Sequence, residues 1–372
     1  MSLMKLIIVT PYWLPIKGGV TTYTLNLAKT LQKRKNIRVG VITRIGKSDK
    51  DVYAIGTRCE GCFHDKILFV VKTFLILYKK RPDVIHSHSW WYTLMPCVLY
   101  KLFHPKIRLI HTIHTEPMEE GRRNRLKNYI FEWLLNRCDA ITTSKNIMEK
   151  LDKIEKLKIK TRKEIIYGGF SRKKVSKKDV EEFKRRYSLE NNHPTLSWVG
   201  PLHYKMKFEG VKNLIEAFTA VVEKYPDARL FVIGDGPYRN DLEKFAEYMN
   251  IKNNVIFTGF LDNVFVPLSV TDIYMWILAQ GGGVGMALLE AMSIGKPVIA
   301  TKSLVQEILV DNENAILVDL DPKSIANAII ALYEDKEKMK RLGENAQKTV
   351  EEKFSWEKIC EEFVKLYQPS KK

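Results

Sequence analysis

The sequence predicts an α/β fold of two doubly wound, Rossmann-like domains, each built on a parallel sheet. Three observations carry this. Short apolar runs alternate with helix-spaced runs, twice over, along the 372 residues. Glycine or histidine follows many of the apolar runs, and a polar, Lys-rich stretch divides the two series. The expected division is residues 1–170 for a first domain, 171–192 for a linker region, 193–353 for a second domain, and 354–372 for a terminal helix packing back on the first.

In the first series, KLIIVTP reads as a strand and GGVTTYTLNLAKTLQKR as a helix with Leu25, Ala28 and Leu31 at helical spacing. IRVGVIT is a strand. KILFVVKTFLILYKK is helical and apolar nearly all round, which predicts a helix sandwiched by protein. DVIHSHS and IRLIHTIHT are strands, RLKNYIFEWLLNR is a helix and DAITTS a strand. In the second series TLSWVG, ARLFVIG, NVIFTG, DIYMWIL and KPVIA are strands with helices between them, and SWEKICEEFVKLY is the final helix.

An apolar share of 45% suits a folded, non-membrane chain. The longest apolar stretch, Ile67 to Tyr78, is interrupted by Lys72 and is too short to span a bilayer. No basic start followed by a long apolar core marks the N-terminus as a secretory leader. Five cysteines without such a leader fit a reducing, cytoplasmic setting. Cys59 and Cys62 form one CEGC pair, open to a zinc site, a local disulfide or ordinary thiols, with the last favoured because no second ligand pair follows.

Charge is one-sided. Residues 1–170 carry 32 Lys and Arg against 14 Asp and Glu, whereas residues 171–372 carry 29 of each. An excess confined to one half points to an anionic partner for that half, such as phosphate groups or an anionic membrane surface, against the plainer reading of a solvated Lys-rich face. Nucleic acid is disfavoured, because no zinc-finger spacing, RNA-binding consensus or helix-turn-helix is visible.

In open α/β sheets, ligands bind beyond the carboxyl ends of the strands. The loops to read are therefore Gly18-Gly19, His88, His114, Gly200, Gly234 to Pro237, Gly259, and the run AQGGGVGMALLEAM. Glycines before a helix let an anion approach backbone N–H groups that lack helical partners, as at Gly283, Gly285 and Met286. There is no Walker A lysine motif and no Gly-x-Gly-x-x-Gly after the first strand, which argues against a P-loop enzyme or a Rossmann dehydrogenase. Asp319 to Asp321 imitates a metal-binding Asp-x-Asp, but it precedes a helix beginning at Pro322, so a helix cap is the better reading and no metal is expected.

Taken in order, PYWLPIKGGVTTYTLNLAKTL, PDVIHSHSWW, CDAITTSKNIMEKL, LFVIGDGPYRNDLEKFA, NVIFTGFL and GMALLEAMSIGKPVIA resemble the family 4 glycosyltransferases of GT-B fold, group 1, relatives of glycogen synthase. The resemblance covers essentially the whole chain. It implies two Rossmann-like domains facing an inter-domain cleft. It also implies a retaining, metal-independent hexosyltransferase that uses a nucleotide sugar as substrate, with no resident cofactor. By resemblance, Gly18 and Gly19 bring backbone to the donor diphosphate, Glu290 holds the ribose hydroxyls and His114 bonds the transferred sugar. Gly200, Gly234, Gly259, Gly283, Gly285 and Met286 line the nucleotide site.

This chain departs from the family pattern at the donor contacts. Gly282 stands where a sugar-reading Glu is usual, Pro201 where a phosphate-binding Arg is usual, and Glu209 where its Lys partner is usual. Ile277-Leu278 replaces Pro-Ser, and Gly168-Gly169-Phe170-Ser171 replaces Asn-Gly-Val-Asp. Lys205 and Lys207, in the same loop, are the candidate replacements for the lost phosphate cations. The alternative is a degenerate, non-catalytic GT-B protein with a binding or regulatory role. The basic first half, with FVVKTFLILYKK and RRNRLK, suits a lipid-linked or phosphate-bearing acceptor and peripheral attachment at the inner membrane face.

Overall fold

The computed structural model describes residues 3–16, 18–56, 62–114, 125–153, 158–189, 194–279, 284–302 and 308–368. The chain divides into two compact units, one of Met1–Gly169 with Trp356–Lys372 and one of Phe170–Ser355.

The first unit contains β1 (Met4–Tyr12), α1 (Gly19–Gln32), β2 (Ile37–Ile45), β3 (Val52–Ala54), α2 (Phe63–Lys80) and β4 (Val84–His88). It continues with α3 (Trp91–Phe103), β5 (Arg108–Thr112), α4 (Arg125–Leu135), β6 (Ala140–Thr143), α5 (Lys145–Lys153) and β7 (Arg162–Ile165). The second unit opens on α6 (Lys177–Arg186), inside the segment 171–192 expected as a linker. A capping box closes the start of α6: Ser176 accepts the Asp179 N–H and Asp179 accepts the Ser176 N–H. Then follow β8 (Thr195–Val199), α7 (Lys205–Lys224), β9 (Arg229–Ile233), α8 (Arg239–Tyr248), β10 (Val255–Gly259), α9 (Phe265–Ser269) and β11 (Ile273–Trp276). The unit ends with α10 (Met286–Ser293), β12 (Val298–Thr301), β13 (Ile316–Val318), α11 (Pro322–Glu334) and α12 (Lys336–Lys353), and α13 (Trp356–Tyr367) belongs to the first unit.

Both sheets are parallel, in the orders β3-β2-β1-β4-β5-β6-β7 and β10-β9-β8-β11-β12-β13. Such strands are covered on both faces, so they appear in the sequence as continuous apolar runs without alternation. Every residue of β4 and of β8 is buried. The first core gathers Val9, Ile42, Ile85, Leu109 and Ile141 from the sheet with Phe69, Leu77 and Leu94 from the helices. Each such side chain contributes about 1.5–3 kcal/mol by leaving water.

Two expectations are corrected. Helix α2 is covered on one side only: Phe69, Val70, Thr73 and Leu77 are buried, but Val71, Leu75 and Tyr78 are exposed. An apolar run in a sequence tells how much of a helix is oily, not how much is covered. Cys62 is disulfide-bonded rather than an ordinary thiol, and Cys59 lies outside the described residues. Cys97, Cys138 and Cys360 are free and buried.

Candidate active site

The order of each sheet has one switch point, where the chain leaves one side of its starting strand and resumes on the other. In the first unit it falls between β1 and β4, and in the second between β8 and β11. The region beyond the carboxyl ends of the strands at such a point is where α/β sheets take their ligands.

In the first unit, Gly18 caps α1 and Gly19 begins it, and a Cβ on either would meet nothing within 4 Å. No acidic residue occupies the first turn of α1, so its free N–H groups and positive helix end stand open to an anion. Beside them, β4 and β5 deliver a histidine cluster. Register pairs His88 with Thr112, placing His114 just past the end of β5. His88 Nδ1 lies 3.0 Å from His114 Nε2, and the Tyr23 ring meets His114 edge-on at 4.6 Å. His86 Nε2 bonds Thr112 Oγ1 at 2.7 Å and its Nδ1 bonds the Tyr367 hydroxyl of α13 at 2.8 Å. His111 Nδ1 bonds Ser87 at 2.8 Å.

Burial dominates the acid–base behaviour of this cluster. It pulls His114 down to about 4 and His111 down to about 3, and pulls His86 and His88 well below the ordinary imidazole value. All four are therefore neutral at pH 7, each carrying one ring proton. His88 Nε2 is buried without a hydrogen-bond partner. An orphaned N–H in such a place is rarer than an under-used acceptor. The His88 proton is therefore best placed on Nδ1, donated to His114 Nε2. That leaves the His114 proton on Nδ1, which has no partner among the described residues and is available to a ligand oxygen.

In the second unit the switch point is built on close backbone approach. Gly234, at φ 141°, follows β9, and a Cβ there would fall 2.0 Å from the Gly200 carbonyl oxygen. Its N–H bonds the carbonyl of Gly259 at 3.0 Å, tying the ends of β9 and β10 together. Lys205 and Lys207 lie not in a loop but in the first turn of α7. Lys205 is solvent-exposed and 3.7 Å from Glu209. Lys207 instead turns inward, its Nζ 3.3 Å from where a Gly200 Cβ would sit, and burial lowers its pKa to about 8. The Ala279 N–H bonds the Met206 carbonyl at 3.0 Å, which ties Ala279 to the first turn of α7.

Gly281, Gly282 and Gly283 lie outside the described residues, so the expected role of Gly283 belongs to a segment not described. Gly285 caps α10, Met286 is its first residue, and the first turn holds no acid. A Cβ on Gly285 would come 2.3 Å from the Trp276 ring. Glu290 sits half-buried further along α10, and burial raises its carboxyl from 4.5 to about 7 against the pull of Lys173. Its carboxylate has no ion pair or hydrogen bond among the described residues. Tyr274 and Trp276, on β11, bury a hydroxyl and an indole N–H without partners. Sequence reading missed both, because DIYMWIL reads only as an apolar strand. Asp321 caps α11 by accepting the Ser324 N–H at 2.8 Å, and Asp319 bonds Lys302 at 2.8 Å, so both carboxylates of the Asp-x-Asp look-alike are engaged.

Strand ends and the turns and helix starts that follow them thus carry His114, Gly18 and Gly19 in one unit, and Gly200, Lys207, Gly234, Gly259, Gly285 and Met286 in the other, with Glu290 further along α10. Two such parallel α/β units define the GT-B class of glycosyltransferases. The Glycosyltransferase Family 4 model matches residues 17–171, and the Glycosyl transferases group 1 model matches residues 179–349. The chain belongs to glycosyltransferase family 4, group 1. It is 27% identical to an uncharacterised glycosyltransferase of Methanocaldococcus jannaschii, over 99% of both chains. It is 25% identical to the alpha-monoglucosyldiacylglycerol synthase of Streptococcus pneumoniae, over 80% of this chain and 71% of that one. Among solved structures, Anabaena HepE in complex with UDP and glucose superposes with a TM-score of 0.78 at 17% identity, covering 97% of this chain and 98% of that one.

Proposed function

We propose that this glycosyltransferase moves a hexose from a nucleotide sugar to a hydroxyl acceptor with retention of configuration, without a metal. The observation that carries the reading is Lys207. A cation in the first turn of a helix opposes the helix dipole, and burial has already lowered its pKa to about 8. It has no ion pair among the described residues. A diphosphate at Gly200 would relieve that cost, and it would restore positive charge where the family's usual Arg and Lys are replaced by Pro201 and Glu209. The free N–H groups opening α10 would share the load, and Glu290 would accept two adjacent ribose hydroxyls.

In the reaction, the bond between the anomeric carbon and the diphosphate oxygen breaks. Lys207 and the helix N–H groups stabilise the charge developing on the leaving group. The acceptor hydroxyl bonds the same face of the sugar, and its proton passes to a phosphate oxygen. His114 donates Nδ1–H to a hydroxyl of the transferred sugar and orients it. No cofactor is needed, since the nucleotide sugar is consumed as substrate. The excess of Lys and Arg in the first 170 residues, together with a relative named for a glycolipid product, supports a lipid-linked or anionic acceptor and attachment at the inner membrane face.

The test is calorimetric titration with UDP, GDP, ADP and their glucose conjugates, on this chain and on Glu290→Ala. Binding of one nucleotide, lost in the variant, is the expected result. Binding of none by the unaltered chain would overturn the donor reading and favour a non-catalytic GT-B protein.

A further inference from the structure

Trp276 ends β11, the strand that lies across the switch point of the second sheet from β8. It is 4% exposed, and its indole Nε1 is buried with no hydrogen-bond partner. Folded proteins leave few such groups unmet, because an N–H taken from water without a new acceptor is costly. The ring lies against the start of α10. A Cβ on Gly285 would fall 2.3 Å from Cη2 and 2.9 Å from Cζ2 of the indole, so the side of the ring nearer Nε1 faces the helix start. Gly285 caps α10 with no side-chain bond, and no acid stands in the first turn. The N–H groups of Met286 and Ala287 have no helical partners there. Ile277 and Leu278, which follow Trp276, are buried and apolar, so among these three residues the indole alone offers a side-chain donor.

We propose that Trp276 is a donor-binding residue, its indole N–H giving a hydrogen bond to a phosphate oxygen held at the start of α10. The inference rests on the donor reading above and assigns it one further contact. An anionic oxygen suits the indole better than a sugar hydroxyl does. The indole nitrogen donates and never accepts, so a pure acceptor uses all that it offers, and a bond to a charged oxygen is about twice as strong as one between neutral groups. The N–H groups of Met286 and Ala287 serve the same anion. A further donor at the phosphate also suits a chain in which Pro201 and Glu209 stand where cations are usual. The indole does not titrate near neutral pH, so its contribution is the same in mild acid and mild base, unlike those of Lys207 and Glu290.

The experiment is heteronuclear NMR of the full chain carrying isotope-labelled tryptophan, with calorimetry alongside. The chain has seven tryptophans, and the Trp276 indole signal is the one missing from Trp276→Phe. UDP, GDP or ADP, whichever binds, and separately inorganic pyrophosphate, should move that signal downfield and slow its exchange with solvent. The matching nucleoside, which has no phosphate, should leave it in place. Trp276→Phe keeps an aromatic ring and loses the N–H, so it should weaken nucleotide diphosphate binding at least about tenfold, by the same factor at pH 6 and pH 8. Thermal unfolding checks that the variant is folded. If it is not, Trp276→Tyr supplies the assignment and the shift in the unaltered chain decides. Nucleotide binding with an unmoved indole signal, or full affinity in a folded Trp276→Phe, would overturn the inference and leave the donor reading standing. Binding of no nucleotide would sink the donor reading instead. The pyrophosphate arm then settles the indole: a moved signal keeps its phosphate contact, and an unmoved one removes it.

Discussion

His88 Nδ1 and His114 Nε2 stand 3.0 Å apart, with their rings nearly parallel at 17°. His88 is fully buried and reaches no ligand itself, so its effect on chemistry passes through His114. By donating to His114 Nε2 it fixes the proton of His114 on the outward nitrogen. His88→Phe keeps a ring but removes the donor, and it should lower kcat/KM for nucleotide release by about tenfold, the worth of one hydrogen bond in the transition state. His88→Asn retains an N–H near the Nδ1 position and should recover most of the loss. Equal damage from both variants would show that packing, not the proton, is what His88 provides.

The same cluster makes stability depend on pH. Burial holds His111 at about 3 and His114 at about 4 in the folded chain, and holds His86 and His88 well below ordinary imidazole, whose value is 6.5. Acid therefore protonates the unfolded chain first. The stability that neutral burial preserves is complete above about pH 6.5 and falls as pH drops toward 4, by up to about 1.4 kcal/mol per pH unit for each histidine. Urea unfolding at pH 7.5 and pH 5.5 should show the midpoint of the first unit moving to lower denaturant. His111→Gln should flatten that shift, and an unmoved midpoint in the unaltered chain would remove the argument.

Much of this was legible in the sequence, for a physical reason. Strands buried on both faces, such as TLSWV and RLFVI, have no solvent face to dilute their apolar residues, so they stand out. Gly234 could be singled out because the Gly200 backbone leaves no room there for a side chain, and Gly200 because the Trp198 ring crowds it. What stayed hidden depends on contacts between segments. The His88–His114 pair arises from the register of β4 on β5. The partnerless Tyr274 and Trp276 look like core residues in any apolar strand. The bare side of α2 depends on which neighbours the helix has. Lys205 and Lys207 read as equivalent loop cations, but the first turn of α7 points one outward and the other toward Gly200.

That difference separates the two lysines experimentally. Lys207→Ala should weaken nucleotide diphosphate binding by about 1.5–3 kcal/mol, the value of a charge-assisted bond to a buried group. Lys205 is exposed and 3.7 Å from Glu209, so Lys205→Ala should change binding by less than about 1 kcal/mol. Calorimetry with UDP, GDP and ADP measures both variants. Similar losses from each would mean that general positive charge, rather than the inward position of Lys207, attracts the phosphate.

Glu290 adds a pH dependence with the opposite sense to that of the histidines. Burial raises its carboxyl from 4.5 to about 7, so the empty second unit loses stability as pH rises through that range. A nucleotide sugar changes the balance, because its ribose hydroxyls donate to the ionised form and pull the pKa back down. Binding then releases a proton below pH 7 and none well above it. Affinity for the sugar nucleotide, whose phosphates do not titrate in this window, should weaken by up to about tenfold from pH 8 to pH 6. Calorimetry in two buffers of different ionisation enthalpy would count the proton released at pH 6. Glu290→Gln cannot ionise, so it should bind more weakly at pH 8 and show neither the proton release nor the pH slope. If the unaltered chain binds equally well at both pH values, Glu290 meets the ribose already ionised or does not meet it, and a variant that keeps full affinity would decide for the second.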